Sequence, residues 1–307
     1  MPGLHLPLSV IIPTRDRPEA VAACLDSLAR QTLPRERYEV IVVVDGGAML
    51  PAGVETAAAK RLQLSVIHQH PEGPAAARNR GASLAKGRWL VFTDDDCLPD
   101  ATWLSEMRDA AACHAKCVLG GETYSGPSDG AFTRASQTLI DAVLAQCNRS
   151  GAPATFFPSN NLAVAADSFQ TLGGFSPDYR MAAGEDRDFC RRWLAAGGEV
   201  TSVPLARVHH DQRLTFRRFV RQQFRYGAAA HRFRRTVPAA PVRGGRAVRV
   251  LGLFGYPMRV ASGWRRALLL GLFAVAQLTV GAGYYGAALV TTARALSLAP
   301  RPTHTRG

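Results

Sequence analysis

Three consecutive aspartates, Asp94, Asp95 and Asp96, follow the apolar run Trp89-Leu90-Val91-Phe92. Adjacent carboxylates repel one another, and burying them unpaired is costly. A cation resolves the conflict. Hard oxygen ligands suit Mg²⁺ or Mn²⁺, which commonly take one or two carboxylates together with substrate phosphates. At an extended strand end, residues i and i+2 face the same side, so Asp94 and Asp96 can share one ion. The competing reading makes one aspartate a helix cap and leaves the others solvated. For Asp100, capping the helix that follows is the favoured role.

Other residues add to this chemistry. Asp45 ends a second apolar run and precedes Gly46-Gly47. It reads as a turn residue or as an acceptor for a nucleobase N–H or a ribose hydroxyl. Arg78, in Arg78-Asn79-Arg80-Gly81, is either part of a solvated basic face or a cation for a nucleotide diphosphate, which arginine can grip bidentately. Glu185-Asp186 opens a helix after Gly184, where capping competes with a role as proton acceptor. His209 or His210 can complete a carboxylate metal site as a neutral imidazole; as isolated residues they read as surface histidines.

The elements that position these groups alternate. Leu8–Ile12, Tyr38–Val44, Leu64–His68 and Arg88–Thr93 read as strands. Arg17–Gln31, Pro51–Leu62, Gly73–Ala85 and Asp100–Ala115 read as helices. Val21, Leu25 and Leu28 share a face of the first helix, and Pro18 suits its first turn. Four strand–helix units predict an α/β fold with a mostly parallel sheet. Right-handed crossovers then bring the carboxyl ends of the strands to one edge, where ligands bind. That edge should carry Pro13-Thr14-Arg15, Asp45-Gly46-Gly47 and the aspartate triplet. From about residue 120 to 206 the pattern loosens, with loop signals at Gly120-Gly121, Gly126-Pro127 and 151–158. A helix over Gly184–Ala195 and a short strand over Glu199–Val203 are expected there.

The set resembles the family 2 glycosyltransferases with the GT-A fold. The resemblance runs through Leu8-Ser9-Val10-Ile11-Ile12-Pro13-Thr14, Val43-Val44-Asp45-Gly46, Ala77-Arg78-Asn79-Arg80-Gly81, Thr93-Asp94-Asp95-Asp96, Gly173-Gly174-Phe175 and Gly184-Glu185-Asp186. It ends near His210-Asp211-Gln212-Arg213. Each motif is weak alone; their order and spacing are specific. The resemblance implies a Rossmann-like nucleotide-sugar-binding domain over residues 1–206. It implies that Asp94 and Asp96 look like the DXD pair holding Mn²⁺ or Mg²⁺ on a diphosphate, with His210 joining and Asp95 and Arg78 beside the nucleotide. Asp45 would meet the base, usually uracil, and Pro13, Thr14 and Arg15 would form the first nucleotide-binding loop. Asp186 would be the general base, with Glu185, Ser159-Asn160-Asn161 and Gly173-Gly174-Phe175 shaping the donor-sugar and acceptor side. Many relatives carry two aspartates where this chain has Val44-Asp45, which alters the expected geometry at the base. One displacement with one base implies inversion at the anomeric carbon; a retaining outcome would need a second, nucleophilic carboxylate.

Charge distribution points to a second partner. The net charge is +13, yet residues 1–206 hold 19 Lys+Arg against 23 Asp+Glu. Residues 207–266 hold 15 arginines and one acid, Asp211. A helix starting near Thr215 and running to about Arg235 places Phe216, Phe219, Val220, Phe224 and Gly227 along one face and arginines around the rest. A basic amphipathic helix reads as binding a membrane surface or packing on the body with a solvated face. Ala267 to Ala293 then forms an uncharged stretch whose 27 residues reach roughly 40 Å as a helix, enough for a tilted span or a re-entrant helix. The alternative is a buried helix of a soluble domain. A disordered tail is expected over 294–307. With 47% hydrophobic and 20% charged residues, a sizeable core can form. Six scattered cysteines fit a reduced compartment. Met1–Pro7 has no basic leader pattern, so the body is expected on the cytoplasmic face of a plasma membrane. The partners expected are a nucleotide-sugar donor, a glycan or glycolipid acceptor and the membrane surface. A nucleotidyltransferase, releasing pyrophosphate, and a non-enzymatic nucleic-acid binder are the competing classes. The apolar stretch beside the arginines disfavours nucleic acid as a partner.

Overall fold

The computed structural model describes residues 7–127, 130–149, 152–181, 183–236 and 248–298. The first half follows the expected alternation. Strand β1 (Leu8–Thr14) leads to helix α1 (Pro18–Leu28), β2 (Tyr38–Asp45), α2 (Ala52–Ala59), β3 (Leu64–Gln69), α3 (Pro74–Leu84) and β4 (Trp89–Thr93). β1 pairs in parallel with β2 and β4, and β2 with β3. β-Branched residues alternate across the sheet. Val10, Ile12, Val40, Val42 and Val44 join a core with α1 and α2 on one face. Ile11, Leu90 and Phe92 join a second core on the other face, and Ile41 and Val43 contact Ala77 of α3 there. Both faces are covered, which is why these strands read as continuous apolar runs.

The second half is mixed. β5 (Cys97–Pro99) and α4 (Trp103–Cys113) come first. They are followed by β6 (Cys117–Ser125), α5 (Ala131–Cys147), β7 (Asn161–Ala165) and α6 (Ala166–Thr171). α7 (Glu185–Ala195) and β8 (Glu199–His210) complete the sheet region. The strand order is β3-β2-β1-β4-β7-β6-β8-β5. β7 runs antiparallel to β4 and β6, β5 runs antiparallel to β8, and β6 and β8 are parallel. Two expectations are corrected. The Gly120-Gly121 segment is a buried strand and not a loop, because neighbours fill the space a side chain would take. A β-carbon on Gly120 would overlap the Phe157 ring, and one on Gly121 would overlap the Ala206 carbonyl and the Asn161 amide. Nor does Asp100 cap α4. Its carboxylate meets His209 Nε2 at 3.1 Å, and only its carbonyl receives the Trp103 N–H.

The C-terminal region is helical: α8 (Phe216–Thr236), α9 (Val250–Leu253), α10 (Gly255–Val260) and α11 (Gly263–Leu298). Thr215 caps α8 as expected, its hydroxyl accepting the Arg218 N–H at 3.3 Å. A third core joins Ala135 and Leu139 of α5 to Phe219 of α8 and Leu269, Phe273 and Ala276 of α11. The basic segment is thus docked on the body by its apolar face. Of the expected tail, 294–298 continue α11 and the remainder lies outside the described residues.

Asn161 ties the two halves together. Its side-chain amide donates to the carbonyls of Glu122 and Ala206, both at 2.9 Å, and its oxygen accepts from Trp103 Nε1 at 2.8 Å. The residue is fully buried. Asn161→Leu strands all three partners, at about 1–3 kcal/mol for a buried group left unpaired. A thermal melt should show a marked fall in midpoint with no change in the apolar volume of the strand.

Candidate active site

The parallel topology delivers the expected edge, and the chemistry there is decided by how acids are compensated. Arg78, on α3, is buried at 2% exposure between two acids. Its Nη2 meets Asp94 Oδ1 at 2.5 Å, and its Nη1 meets Glu185 Oε1 at 2.9 Å. α3 can bring it there because Gly73, with φ 99°, turns the chain into the helix, and because Gly81 lets the helix rest on Ile11. Arg78, expected beside the nucleotide, is thus held between two carboxylates of the chain and positions Asp94 and Glu185.

The triplet is a turn after β4 and not an extended end, so its three side chains part. Asp94 goes to Arg78. Asp95 points inward, accepts the Thr14 hydroxyl at 2.6 Å and lies 3.0 Å from Arg17 Nη2. Burial pushes its carboxyl up to about 7, against the pull of Arg17. Asp96 lies between Arg17 Nη1, at 2.6 Å, and His210 Nε2, at 3.1 Å. His210 and then Arg17 hold its carboxyl well below the usual range despite burial, and Asp96 in turn raises the His210 imidazole. The described residues place Asp96, Cys97 and His210 within 4.8 Å of one another as potential ligand atoms, and Asp94 falls outside that group. His209 faces outward to Asp100, so His210 is the histidine at the site.

Asp45 is likewise committed. Its Oδ1 accepts from Gln69 Nε2 and the Glu72 N–H, and its Oδ2 accepts the Gly73 N–H at 2.8 Å. It therefore shapes the turn into α3, with one oxygen less fully used. Pro13 is buried within β1, and Thr14 is spent on Asp95. Of that loop only Arg15 is well exposed, at 56%.

On the opposite wall, Gly184 adopts φ 89° and starts α7. Glu185 is buried beneath Arg78. Asp186 is partly exposed and accepts the backbone N–H groups of Arg187 and Ser159. Burial pushes both carboxyls up; the charge of Asp186 adds to the rise at Glu185, and that of Asp94 to the rise at Asp186. Asn160 is buried, its carbonyl receiving the Thr93 hydroxyl. Asn161, expected on the sugar side, is the structural tie described above. Gly174 is also structural: it has φ 64°, and a β-carbon there would press on Asn79, whose side chain brackets Phe175 N–H and C=O.

Three contributors escape the sequence reading. Arg17 looked like the start of a helix, yet it bridges Asp95 and Asp96. Asn79 looked like part of a basic run, yet it locks the Gly173-Gly174 turn. Tyr226 sits in the arginine-rich α8. Burial, and then the charges of Asp186 and Glu185, push its phenol up, so α8 reaches the acid cluster. A tyrosine at that position carries no sequence signal of its own.

A nucleotide-sugar-binding GT-A fold is what this topology and edge define. Solved structures share it. A mannosyltransferase from Pyrobaculum calidifontis, solved with GDP-Man and Mn²⁺, matches with a TM-score of 0.58 at 18% identity, over 96% of this chain and 76% of its own. Staphylococcus aureus TarS 1–349 in complex with UDP-GlcNAc matches with a TM-score of 0.55 at 17% identity, over 94% and 92%. The model for glycosyl transferase family 2 matches residues 9–172, and the chain belongs to that family. A second model, the N-terminal domain of galactosyltransferase, matches residues 140–215. Among curated relatives, a pre-mycofactocin glycosyltransferase of Mycobacterium tuberculosis is 27% identical over 74% of this chain and 47% of its own length. The glycosyltransferase AglE of Haloferax volcanii is 29% identical over 72% and 71%. The validoxylamine A glucosyltransferase of Streptomyces hygroscopicus is 31% identical over 66% and 55%. The chain spans about half the length of the mycobacterial relative.

Arg78→Met leaves Asp94 and Glu185 without their shared cation. Breaking a buried pair in this way costs about 3–5 kcal/mol. The deficit should grow as pH rises, because the raised Glu185 carboxyl then ionises with nothing to offset it, and shrink toward low pH, where it is protonated. Melts of Arg78→Met and of Arg78→Met/Glu185→Gln across pH check this; the double variant should recover part of the loss at the alkaline end.

Proposed function

We propose that the chain is an inverting, metal-dependent glycosyltransferase. It would move a sugar from a nucleoside-diphosphate sugar, a UDP-sugar in the first instance, to a hydroxyl of a glycan or lipid-linked acceptor. The observation that carries the reading is Asp186. It is a partly exposed carboxylate with a raised proton affinity, set across the sheet edge from the Asp94–Asp96 turn.

The donor set fits a divalent cation. Asp96 offers oxygen and His210 nitrogen, a combination that suits Mn²⁺ and accommodates Mg²⁺. Burial and then Asp94 and Asp96 push the Cys97 thiol up, and its soft sulfur suits these hard cations less well than Asp96 and His210 do. The Arg17 guanidinium, half-exposed and lying across Asp95 and Asp96, already shows that this turn calls for positive charge. When bound, the ion supplies charge neutralisation on the leaving diphosphate. Asp94, its second oxygen free of Arg78, would stand at the same mouth. Arg15 would meet the donor from the β1 end, and Asp45 would hold the base with the lone pair left on Oδ2.

Asp186 takes the acceptor hydroxyl proton as that oxygen attacks the anomeric carbon. The bond from the anomeric carbon to the acceptor oxygen forms, the bond to the donor phosphate oxygen breaks, and the nucleoside diphosphate leaves with the electron pair. The N–H groups of Arg187 and Ser159 fix the carboxylate, and burial together with the charge of Asp94 favours proton uptake. A single displacement with Asp186 as the base gives inversion at the anomeric carbon.

α11 is long and apolar enough, by length and composition, to cross a membrane. Its partner supports a different placement. α8 lies against it: a β-carbon on Gly227 would overlap the Val280 carbonyl, and one on Gly283 the Phe224 carbonyl. A span centred near Val280 would carry Arg225 and Arg232 of α8 toward hydrocarbon, at about 2.5–3.5 kcal/mol each. The pair reads better as lying in the interface on the cytoplasmic face, with arginines toward anionic headgroups.

Purified full-length protein with Mn²⁺ should release UDP from one of a panel of UDP-sugars; Asp96→Ala should abolish release. Asp186→Asn should retain UDP–Mn²⁺ binding and lose transfer. Wild-type transfer should rise with pH through a carboxylate pKa above the ordinary aspartate range. Absence of binding to UDP, GDP and dTDP with Mn²⁺ sinks the reading. In a separate flotation assay, the full chain should rise with anionic vesicles and less so as salt increases; equal flotation with zwitterionic vesicles counts against the arginine surface.

A further inference from the structure

A groove lies beside the segment that leads into Gly184 and α7. It runs between α8 and α11 beneath residues 178–181 and Ala183 and holds about 1100 Å³. Its walls are small and apolar: Ala228 and Ala229 from α8, Gly283, Gly286 and Ala287 from α11. The helices touch backbone to backbone at Gly227 and Gly283, which fixes their separation and leaves the volume beyond open. Its rim is cationic. Arg225, Arg232 and Arg235 line it against one acid, Asp178, which lies 3.8 Å from Arg232.

One side chain inside lacks partners. Both ring nitrogens of His231 are buried with no hydrogen-bond partner among the described residues; the hydroxyl of Tyr179, a residue only 4% exposed, has the Thr236 hydroxyl beside it. Thr236, also lining the groove, donates its own hydroxyl to the Arg232 carbonyl. Buried donors left unmatched in this way are costly unless a ligand supplies acceptors.

We propose that this groove holds the acceptor, and that the acceptor is a lipid phosphate. The apolar tail would lie against Ala228, Gly283 and Ala287, and the phosphate would take Arg225, Arg235, His231 and the Tyr179 hydroxyl. The head has a route to the base. Ala183 lines the groove, and the next residue, Gly184, rests on Ala229 and Tyr179 just before Glu185 and Asp186. A glycolipid phosphate seated here extends its head sugar toward Asp186. This assignment rests on the transferase reading and names its acceptor class.

The test is calorimetric titration of the full chain with farnesyl phosphate, alongside farnesol and inorganic phosphate, with UDP–Mn²⁺ binding measured on every variant. Farnesyl phosphate should bind at least roughly tenfold more tightly than either half, because charge pairing and tail burial act together. Arg225→Gln/Arg235→Gln should weaken it by roughly tenfold or more, the equivalent of one lost charge-assisted contact or better. Ala287→Leu, which narrows the apolar wall, should weaken it while leaving the preference for phosphate over alcohol. UDP–Mn²⁺ binding should be unchanged in both, which also reports that they fold. Farnesol binding as tightly as farnesyl phosphate, or both variants binding like wild type, overturns the groove assignment. Failure of UDP–Mn²⁺ binding in the wild type, with farnesyl phosphate still bound, overturns the transferase reading instead.

Discussion

Arg78 lies buried between Asp94 and Glu185, and Arg17 and His210 lie against Asp95 and Asp96. Five carboxylates meet at one edge of the sheet when Asp186 is included. Without interleaved cations their repulsion and desolvation would open that edge. Each cation comes from a different place: Arg17 at the start of α1, Arg78 in the middle of α3, His210 at the end of β8. The site therefore cannot form until the parallel half, the mixed half and the last strand are all in place. Asp186 differs from the other four in that its hydrogen-bond partners among the described residues are backbone N–H groups. It is partly exposed, and burial raises it.

Close backbone approach decides much of the rest. Gly81 allows α3 onto β1, Gly120 and Gly121 admit Phe157 and Asn161 beside β6, and Gly227 and Gly283 bring α8 and α11 together. The first contact sets Arg78 in position and the second joins the two halves of the sheet. The third anchors α8, which carries Tyr226 to the acids, borders the groove and displays arginines outward. Acidic edge, groove and basic surface are thus one mechanical unit, with α8 common to all three.

Much of this was legible in the chain. The β-branched runs and their 20- to 30-residue spacing predicted β1 to β4, and the parallel pairing brought Thr14, Asp45 and Asp94 to a common edge as expected. The motif order pointed to family 2, and the family match over residues 9–172 agrees. Residues 120–206 were less legible. Glycine ordinarily marks a turn, and only the Phe157 ring and the Ala206 carbonyl explain why two glycines sit inside β6. α5 likewise went unread, because its buried face alternates small and polar residues, Ala135, Ser136, Thr138 and Ala142.

Residue type and spacing alone determined which groups stand at the edge, since a period of two and right-handed crossovers leave few other placements. Tertiary structure alone decided what each group does there. Arg78 read as a diphosphate ligand and became a positioning cation. Asn161 and Gly174 read as sugar contacts and became ties within the fold. Arg17 read as a helix start and became the counter-charge of the acidic turn. The physical reason is common to all of them. A charged or polar side chain takes its role from the partner that satisfies it. In this protein those partners come from elements 16 to 114 residues away along the chain, as in Arg78 with Asp94 and Asp96 with His210.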